Sequence, residues 1–434
     1  MKITIVGAGY VGLVTGVCFA LRGMDVKLYD IDNAKVDMIN SGKAPIYEKG
    51  LEKALAKTVG KHLNATSDAE GAVRWAEIIF ICVGTPSLPH GETDLSYVFS
   101  AAKIIGKALE KRNERKLIVV KSTVPPGTTE RVAEIMRDGD RAAGARAGVA
   151  MNPEFLREGT ALEDALSPDR IIIGADCGRD ASLLARVYAW TACKKIVVSI
   201  RTAELIKYSS NAFLAAKVSF ANEIAGICEQ LGADIDEVMD GVGSDARIGR
   251  RFLDAGPGFG GSCFPKDVRS LIFEARRAGA EVEMLSAIMS LNVKQQRRIV
   301  CLMKERISLN GKKVAVLGLA FKANTDDVRE SPAIPVMQAL VEAGSIVRAY
   351  DPQAMANMKK LFPAAEYCHS LEECLHGVDA AVLVTDWKQF KKPAKYYKGL
   401  LDAAPLFDAR RVLPERNARA AGLDYHCIGR GKKI

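Results

Sequence analysis

KITIVGAGYVG (residues 2–12) decides the fold. A run rich in Ile and Val stops at Gly7, and Gly7, Gly9 and Gly12 then space themselves as G-x-G-x-x-G ahead of a helical pattern. In such a turn the first glycine permits the tight bend, the second lets a pyrophosphate approach the backbone, and the third lets helix and strand pack closely. The free N–H groups and the helix dipole then face the phosphates. Asp30 closes the next β-rich run, about 20 residues on, where an acid accepts hydrogen bonds from the adenosine ribose hydroxyls. Its charge repels a 2′-phosphate and favours NAD; Lys35 is the neighbour that would suit NADP.

Working outward, the first 200 residues alternate β-rich runs with helical patterns: KITIVGAG, DVKLYD, EIIFICVGTP, KLIVVKST, GVAMNPEF, RIIIGA and KIVVS. This alternation predicts a parallel sheet with helices on both faces. From about 201 to 307 the strand signals vanish and helices are expected, including long ones near 201–231 and 283–307. Strands return at KVAVLGLAF (313–321), IVRAYD, DAAVLVTD and APLFDA. The second unit faintly repeats the first: KVAVLGLAFKA is followed by Asp351 as KITIVGAGYVG is by Asp30, with Ala320 and Ala323 at the later glycine positions. The expected architecture is α/β: two Rossmann-like doubly wound parallel-sheet domains, 1–200 and 308–434, joined by a central helical region, 201–307, with a long core helix.

The 434 residues exceed one ordinary core, and 48% hydrophobic with 26% charged residues describes a soluble globular protein. The apolar start is read as strand and helix rather than a secretory leader, because its glycines are spaced and a second strand-like run follows directly. No stretch is long and apolar enough to span a bilayer. Ten cysteines without a C-x-x-C pair suit a reducing cytoplasm. CHSLEECLH (368–376) matches no zinc spacing and reads as helix surface, so no metal is expected. The net charge of +9 suits an anionic partner. KQFKKPAKYYKG (388–399) and the terminal GRGKKI read as solvated surface, and no nucleic-acid-binding signature is visible.

The chemistry concentrates in GPGFGGSCFPKD (256–267). Four glycines clear space before Cys263, and Pro265 fits the first turn of a helix. A thiol at a helix N-terminus near Lys266 is favoured as thiolate, hence as nucleophile. Asp267 lies one turn on, on the same face. In AELIKYSSNAFLAAKVSFANEIAGICEQLG (203–232) apolar residues run almost all round, marking a largely buried helix. Lys207 and Asn211 share a face of it, and a buried ammonium needs a partner or a task. MNPEFLREGTA (151–161) supplies Glu154 and Glu158 beyond a strand; such carboxylates orient water, touch a cofactor or stay solvated. ICVGTP (81–86) and KSTVPPGT (121–128) put small or hydroxyl residues just after strands, where open α/β sheets bind ligands or make ordinary turns.

In order along nearly the whole chain, GAGYVG, ICVGTP, KSTVPPGT, NPEFLREG, GPGFGGSCFPKD and FKANTDDVRESPA resemble the UDP-glucose/GDP-mannose dehydrogenase family. The resemblance implies oxidation of a nucleotide sugar's C6 alcohol to a carboxylate with two NAD, through a thiohemiacetal and a thioester on Cys263. It implies that Lys207 stabilises oxyanions, while Asp267, Asn211, Glu154 and Thr123 position or activate water and share proton transfer. It places Gly7, Gly9, Gly12, Asp30, Lys35, Thr85, Thr123, Glu158, Cys263 and Arg329 at NAD. It places Glu154, Phe155, Leu156, Glu158, Lys207, Asn211, Phe259, Gly260, Lys322 and Arg410 at the substrate. Arg247, in DARIGRRF, corresponds to a residue that reaches a neighbouring subunit, so a homodimer or higher homo-oligomer is implied. GVGSDARIGRRFLDAGPGFGG looks most like members acting on UDP-glucose, with GDP-mannose or a UDP-N-acetylhexosamine as alternatives. A hydroxyacid dehydrogenase would stop after one NADH and needs no thiol.

Overall fold

The computed structural model describes residues 1–110, 114–139 and 147–430. Its first compact unit, Met1–Ser210, is built on an eight-stranded sheet. The strands are β1 (Lys2–Val6), β2 (Asp25–Tyr29), β3 (Leu63–Thr66), β4 (Ile78–Ile81), β5 (Lys116–Val120), β6 (Ala147–Met151), β7 (Arg170–Gly174) and β8 (Lys194–Val198). Their order is β3-β2-β1-β4-β5-β6-β7-β8. Every residue of β4 and β5 is buried, which is why these strands read as continuous apolar runs rather than alternating ones. Alternate side chains enter two cores: Ile78, Phe80, Leu117 and Val119 on one face, Ile79, Ile81, Ile118 and Val120 on the other.

The sheet departs from the expected parallel pattern in one place. β7 runs antiparallel to β6 through Met151 and Gly174, and β8 follows β7 in parallel. A buried Ile run looks the same in either direction, so sequence alone does not reveal the reversal. β3 carries no strand signal in its sequence either. Its LNAT is a short edge strand with Asn64 exposed, defined by pairing with β2 rather than by composition.

The second unit, Asn211–Ile434, carries a six-stranded, wholly parallel sheet. Its strands are β9 (Lys313–Leu317), β10 (Ile346–Tyr350), β11 (Glu366–Tyr367), β12 (Ala380–Leu383), β13 (Leu406–Asp408) and β14 (Tyr425–Cys427), ordered β11-β10-β9-β12-β13-β14. The edge strands β11 and β14 are too short to announce themselves in sequence. Cys368 and Cys374 belong to this unit's core and not to a helix surface. Lys388, Lys391, Lys392 and Lys395 are exposed, as a solvated patch should be, whereas the end of GRGKKI, residues 431–434, lies outside the described residues.

Asp351 shows how the second sheet has given up its dinucleotide turn. Like Asp30, it follows the second strand of its sheet, but it is fully buried. Its Oδ2 accepts the N–H groups of Leu319 and Ala320 and the Trp387 indole N–H, while Oδ1 accepts the N–H groups of Gln353 and Ala354. Five donors leave no capacity for a ribose.

The helix Ile200–Leu231, 32 residues long, runs from the first unit into the second. Its small residues Ala212, Ala215, Ser219, Asn222 and Ala225 are buried. The pattern marks a largely buried helix, yet Phe213, Phe220, Ile227 and Leu231 are exposed, on one stripe at intervals of seven and four residues. No helix among the described residues is long and apolar enough to cross a membrane.

Replacing Asp351 with Asn turns one acceptor oxygen into a donor facing N–H groups. Urea unfolding should show the second unit destabilised by about 2–4 kcal/mol.

Candidate active site

The turn after β1 is shaped by contacts that exclude any Cβ. Gly7 has φ +98°, and a Cβ there would lie 2.8 Å from the Cys82 carbonyl oxygen. At Gly12 a Cβ would fall 1.9 Å from the Gly7 oxygen. Gly9 differs: it caps the helix Tyr10–Leu21, and nothing lies within 4 Å of its Cβ direction. That open space at a helix N-terminus is where a pyrophosphate fits. Asp30 accepts the Ala8 N–H through Oδ2 (2.8 Å) and the Asp32 N–H through Oδ1 (3.0 Å), keeping acceptor capacity on both oxygens for ribose hydroxyls. The Lys35 ammonium lies 3.9 Å from Asp32, the N-cap of its own helix. Thr85, buried, and Thr123, half-buried, follow β4 and β5 at their carboxyl ends.

The loop after β6 meets the long helix within the same unit. Glu154 and Lys207, both buried, form an ion pair with Nζ to Oε1 at 2.9 Å. The other Glu154 oxygen accepts the Leu156 N–H at 2.6 Å. Burial alone would raise this carboxyl, but the Lys207 ammonium, its hydrogen bond and the Leu156 N–H together hold it below the ordinary Glu value. Phe155 receives cations on its ring: Lys207 Nζ at 5.3 Å and the Arg170 guanidinium at 4.0 Å from the centroid. Leu156 and Glu158 are half-buried in the same loop.

In the second unit Cys263 is the N-cap of the helix Phe264–Arg277, with Pro265 in the first turn, and its thiol is partly exposed. Ser262 Oγ lies 3.6 Å from the sulfur. Asp267, one turn on, is buried; its Oδ2 accepts the Asn211 amide at 2.6 Å and its Oδ1 the Lys266 ammonium at 2.6 Å. Lys266, read from sequence as a neighbour of the thiol, thus pairs with Asp267.

The glycine loop ahead of Cys263 is held through its main chain. Asn222 Oδ1 accepts the Gly256 N–H (2.7 Å), and the Gln295 amide donates to the Gly256 carbonyl (2.7 Å). Asn292 grips Phe259 at both its N–H (2.7 Å) and its carbonyl (2.9 Å). Gly260 leaves no room for a Cβ, which would sit 2.1 Å from the Glu330 oxygen, and Gly261, at φ +83°, packs on the Phe321 ring.

The adjacent arginines 410 and 411 part company. Arg411 pairs with Asp236 and donates to the Ala255 carbonyl. Arg410 donates to the carbonyls of Val384 and Phe321, and a Cβ on Gly256 would lie 3.1 Å from its Nη1. Burial pulls its guanidinium below the ordinary Arg value, the sign of a desolvated cation suited to an anion. Lys322 Nζ lies 5.5 Å from the Phe321 centroid, Arg329 binds Asp327, and Arg247 extends from Asp245 with most of its side chain exposed.

Comparison with known proteins identifies the family. Three domains of one family match in order: the UDP-glucose/GDP-mannose dehydrogenase NAD binding domain over residues 1–192, the central domain over 201–294 and the UDP binding domain over 315–415. The chain belongs to this family. UDP-glucose 6-dehydrogenase of Haloferax volcanii is 42% identical over 99% of this chain and all of its own. A UDP-glucose dehydrogenase structure from Pyrobaculum islandicum matches with 42% identity and TM-score 0.92 over 99% of this chain and 97% of that one. GDP-mannose dehydrogenase of Pseudomonas aeruginosa is 36% identical, TM-score 0.57, over 95% and 97%. The cofactor is NAD, and the Gly7–Gly12 turn and Asp30 have the form to receive it.

Sequence reasoning passed over several residues of this family member that hold the loops in place. Asn222, Asn292 and Gln295 anchor the glycine loop; a polar amide at a buried helix position was the available signal. Tyr10, inside the glycine fingerprint, donates to buried Glu48, whose carboxylate accepts the N–H groups of Gly159 and Ala161. These contacts tie the NAD turn to the end of the 154–159 loop.

The Glu154 shift carries a sign. A carboxyl held below its unfolded value contributes stability above that value, and the contribution is lost as pH falls through the folded one. Acid unfolding should therefore be shallower below about pH 4.5 in Glu154→Gln than in the native protein, measured by circular dichroism.

Proposed function

We propose that this protein is a UDP-glucose 6-dehydrogenase that oxidises the C6 alcohol to the carboxylate, giving UDP-glucuronate with the loss of four electrons. The observation that carries this reading is Cys263, partly exposed at a helix N-terminus behind a glycine loop whose main chain is pinned by amides. A two-electron dehydrogenase has no use for such a thiol. UDP-glucose is favoured because the UDP-glucose enzymes stand at 42% identity and the GDP-mannose enzyme at 36%.

NAD supplies the hydride acceptor for both oxidations, held by Gly7, Gly9, Gly12, Asp30, Lys35, Thr85, Thr123, Glu158, Cys263 and Arg329. The chain's own groups do the rest. Arg410 and Lys322 bind the diphosphate, with Phe259, Gly260, Phe155 and Leu156 enclosing the sugar nucleotide. Lys207, kept cationic by Glu154, stabilises the C6 alkoxide and the later tetrahedral oxyanions. The Cys263 thiolate, favoured by the helix dipole, adds to the aldehyde carbon and prevents its escape. Loss of a second hydride from the resulting thiohemiacetal leaves a thioester. Water, oriented by Asp267 with Asn211 and by Glu154 and Thr123, adds to it and breaks the C–S bond, returning the thiolate. A partly exposed thiol at this position, in a chain with ten cysteines and no C-x-x-C pair, fits a reducing cytoplasm.

The active form is a homodimer or a larger assembly of such dimers. Phe213, Phe220, Ile227 and Leu231 are exposed along one side of the long helix, a stripe that a second copy of the same helix would cover. Arg247 would reach the partner's site.

Two NADH should form per UDP-glucose consumed, and Cys263→Ser should lose steady turnover by more than about 1,000-fold. One NADH per sugar, or activity confined to GDP-mannose, would overturn this reading. Light scattering should show Phe220→Asp shifted from dimer toward monomer, because a carboxylate on that stripe cannot be desolvated cheaply.

A further inference from the structure

The helix that carries Lys207 carries a second buried charge that the reaction above does not use. Glu204, one turn earlier, is fully buried and, among the described residues, makes no ion pair. Its carboxylate instead reaches the start of the helix Thr128–Gly139. Oε2 accepts the Gly127 N–H at 2.6 Å and Oε1 the Thr129 N–H at 2.8 Å. A helix normally takes such a cap from its own preceding residue; here a distant helix provides it.

The segment so held is the loop after β5. Its upstream end is fixed by Ser122, whose hydroxyl donates to the Val83 carbonyl at 2.7 Å. Its downstream end, beyond Pro125 and Pro126, is fixed by Glu204. Thr123 lies between these two anchors, and the second anchor stands on the Lys207 helix, at the i−3 position.

We propose that Glu204 is a positioning residue, holding the Thr123 loop in register with the Lys207 ammonium so that both groups address the same reacting centre. This rests on the function proposed above. Two N–H donors require two acceptor oxygens, which the ionised carboxylate offers in full. Burial pushes the Glu204 carboxyl up to about 7, with the Thr129 and Gly127 hydrogen bonds opposing and Glu130 adding like charge. Glu130 itself is paired with Arg201, and the Thr129 hydroxyl also faces the group. Because the folded value is raised, the fold binds this proton more tightly than the unfolded chain, and stability falls as pH rises from about 4.5 to 7. Glu204→Gln escapes that loss but keeps only one acceptor oxygen.

The test uses the full chain, native and Glu204→Gln, with kinetics from about pH 6 to 9 and hydrogen exchange of residues 122–131. We expect kcat to fall about 10- to 100-fold in the variant, with the KM for UDP-glucose within about threefold. The native loss of kcat on the acid side near pH 7 should disappear from the variant's profile. Exchange at Gly127 and Thr129 should accelerate at pH 8 while the melting temperature there holds or rises. An unchanged kcat with the same acid limb, or a loss of kcat that merely tracks the fraction unfolded, would overturn the proposal. A native chain that fails to give two NADH per UDP-glucose would refute the functional reading instead, and the exchange result would still judge the tether.

Discussion

A buried ammonium against a buried carboxylate, Lys207 with Glu154, is the contact that fixes the loop after β6 in the first unit. Either charge alone, removed from water at this depth, would cost several kcal/mol, and together they persist only because the geometry is close and the remaining carboxylate oxygen has its own donor. The pair therefore specifies position more than it stabilises. It forces the loop after β6 onto the long helix at Lys207, with Phe155 carried alongside.

The two sheets show what happens when one scaffold is used twice. In the first, Asp30 accepts two main-chain N–H groups and keeps lone pairs to spare, beside a Gly9 with open space ahead of it. In the second, Asp351 sits at the corresponding place with five donors upon it. What separates the two acids is thus unused hydrogen-bond capacity, which Asp30 keeps and Asp351 does not. Backbone approach is kept in both: Gly318, like Gly7, has positive φ and would clash with a neighbouring strand's end if it bore a side chain.

Much of the fold could be read from the sequence because its central strands are buried on both faces and declare themselves by composition. β3, β11 and β14 could not, since edge strands of two to four residues exist through their partners. Nor could the reversed β7, whose apolar run carries no sign of direction. For the site, spacing put Lys207 and Asn211 on one helix face and Cys263 before a helix start, and the family resemblance gave them expected roles. What spacing could not supply was partners. Glu154 for Lys207, Asp267 for Asn211, and the amides gripping the glycine loop are contacts between segments about 30 to 60 residues apart. The long helix, apolar almost all round, reads as largely buried, while Phe213, Phe220, Ile227 and Leu231 stay exposed on the single chain.

The grip on the glycine loop has a consequence for how the sulfur behaves in solution. Asn222, Asn292 and Gln295 are neutral across the whole physiological range and form no double layer with salt. Their hold on Gly256 and Phe259 is therefore indifferent to proton concentration and to ionic strength. The loop ahead of Cys263 therefore keeps one main-chain geometry whatever the charge states of the ionisable side chains around it.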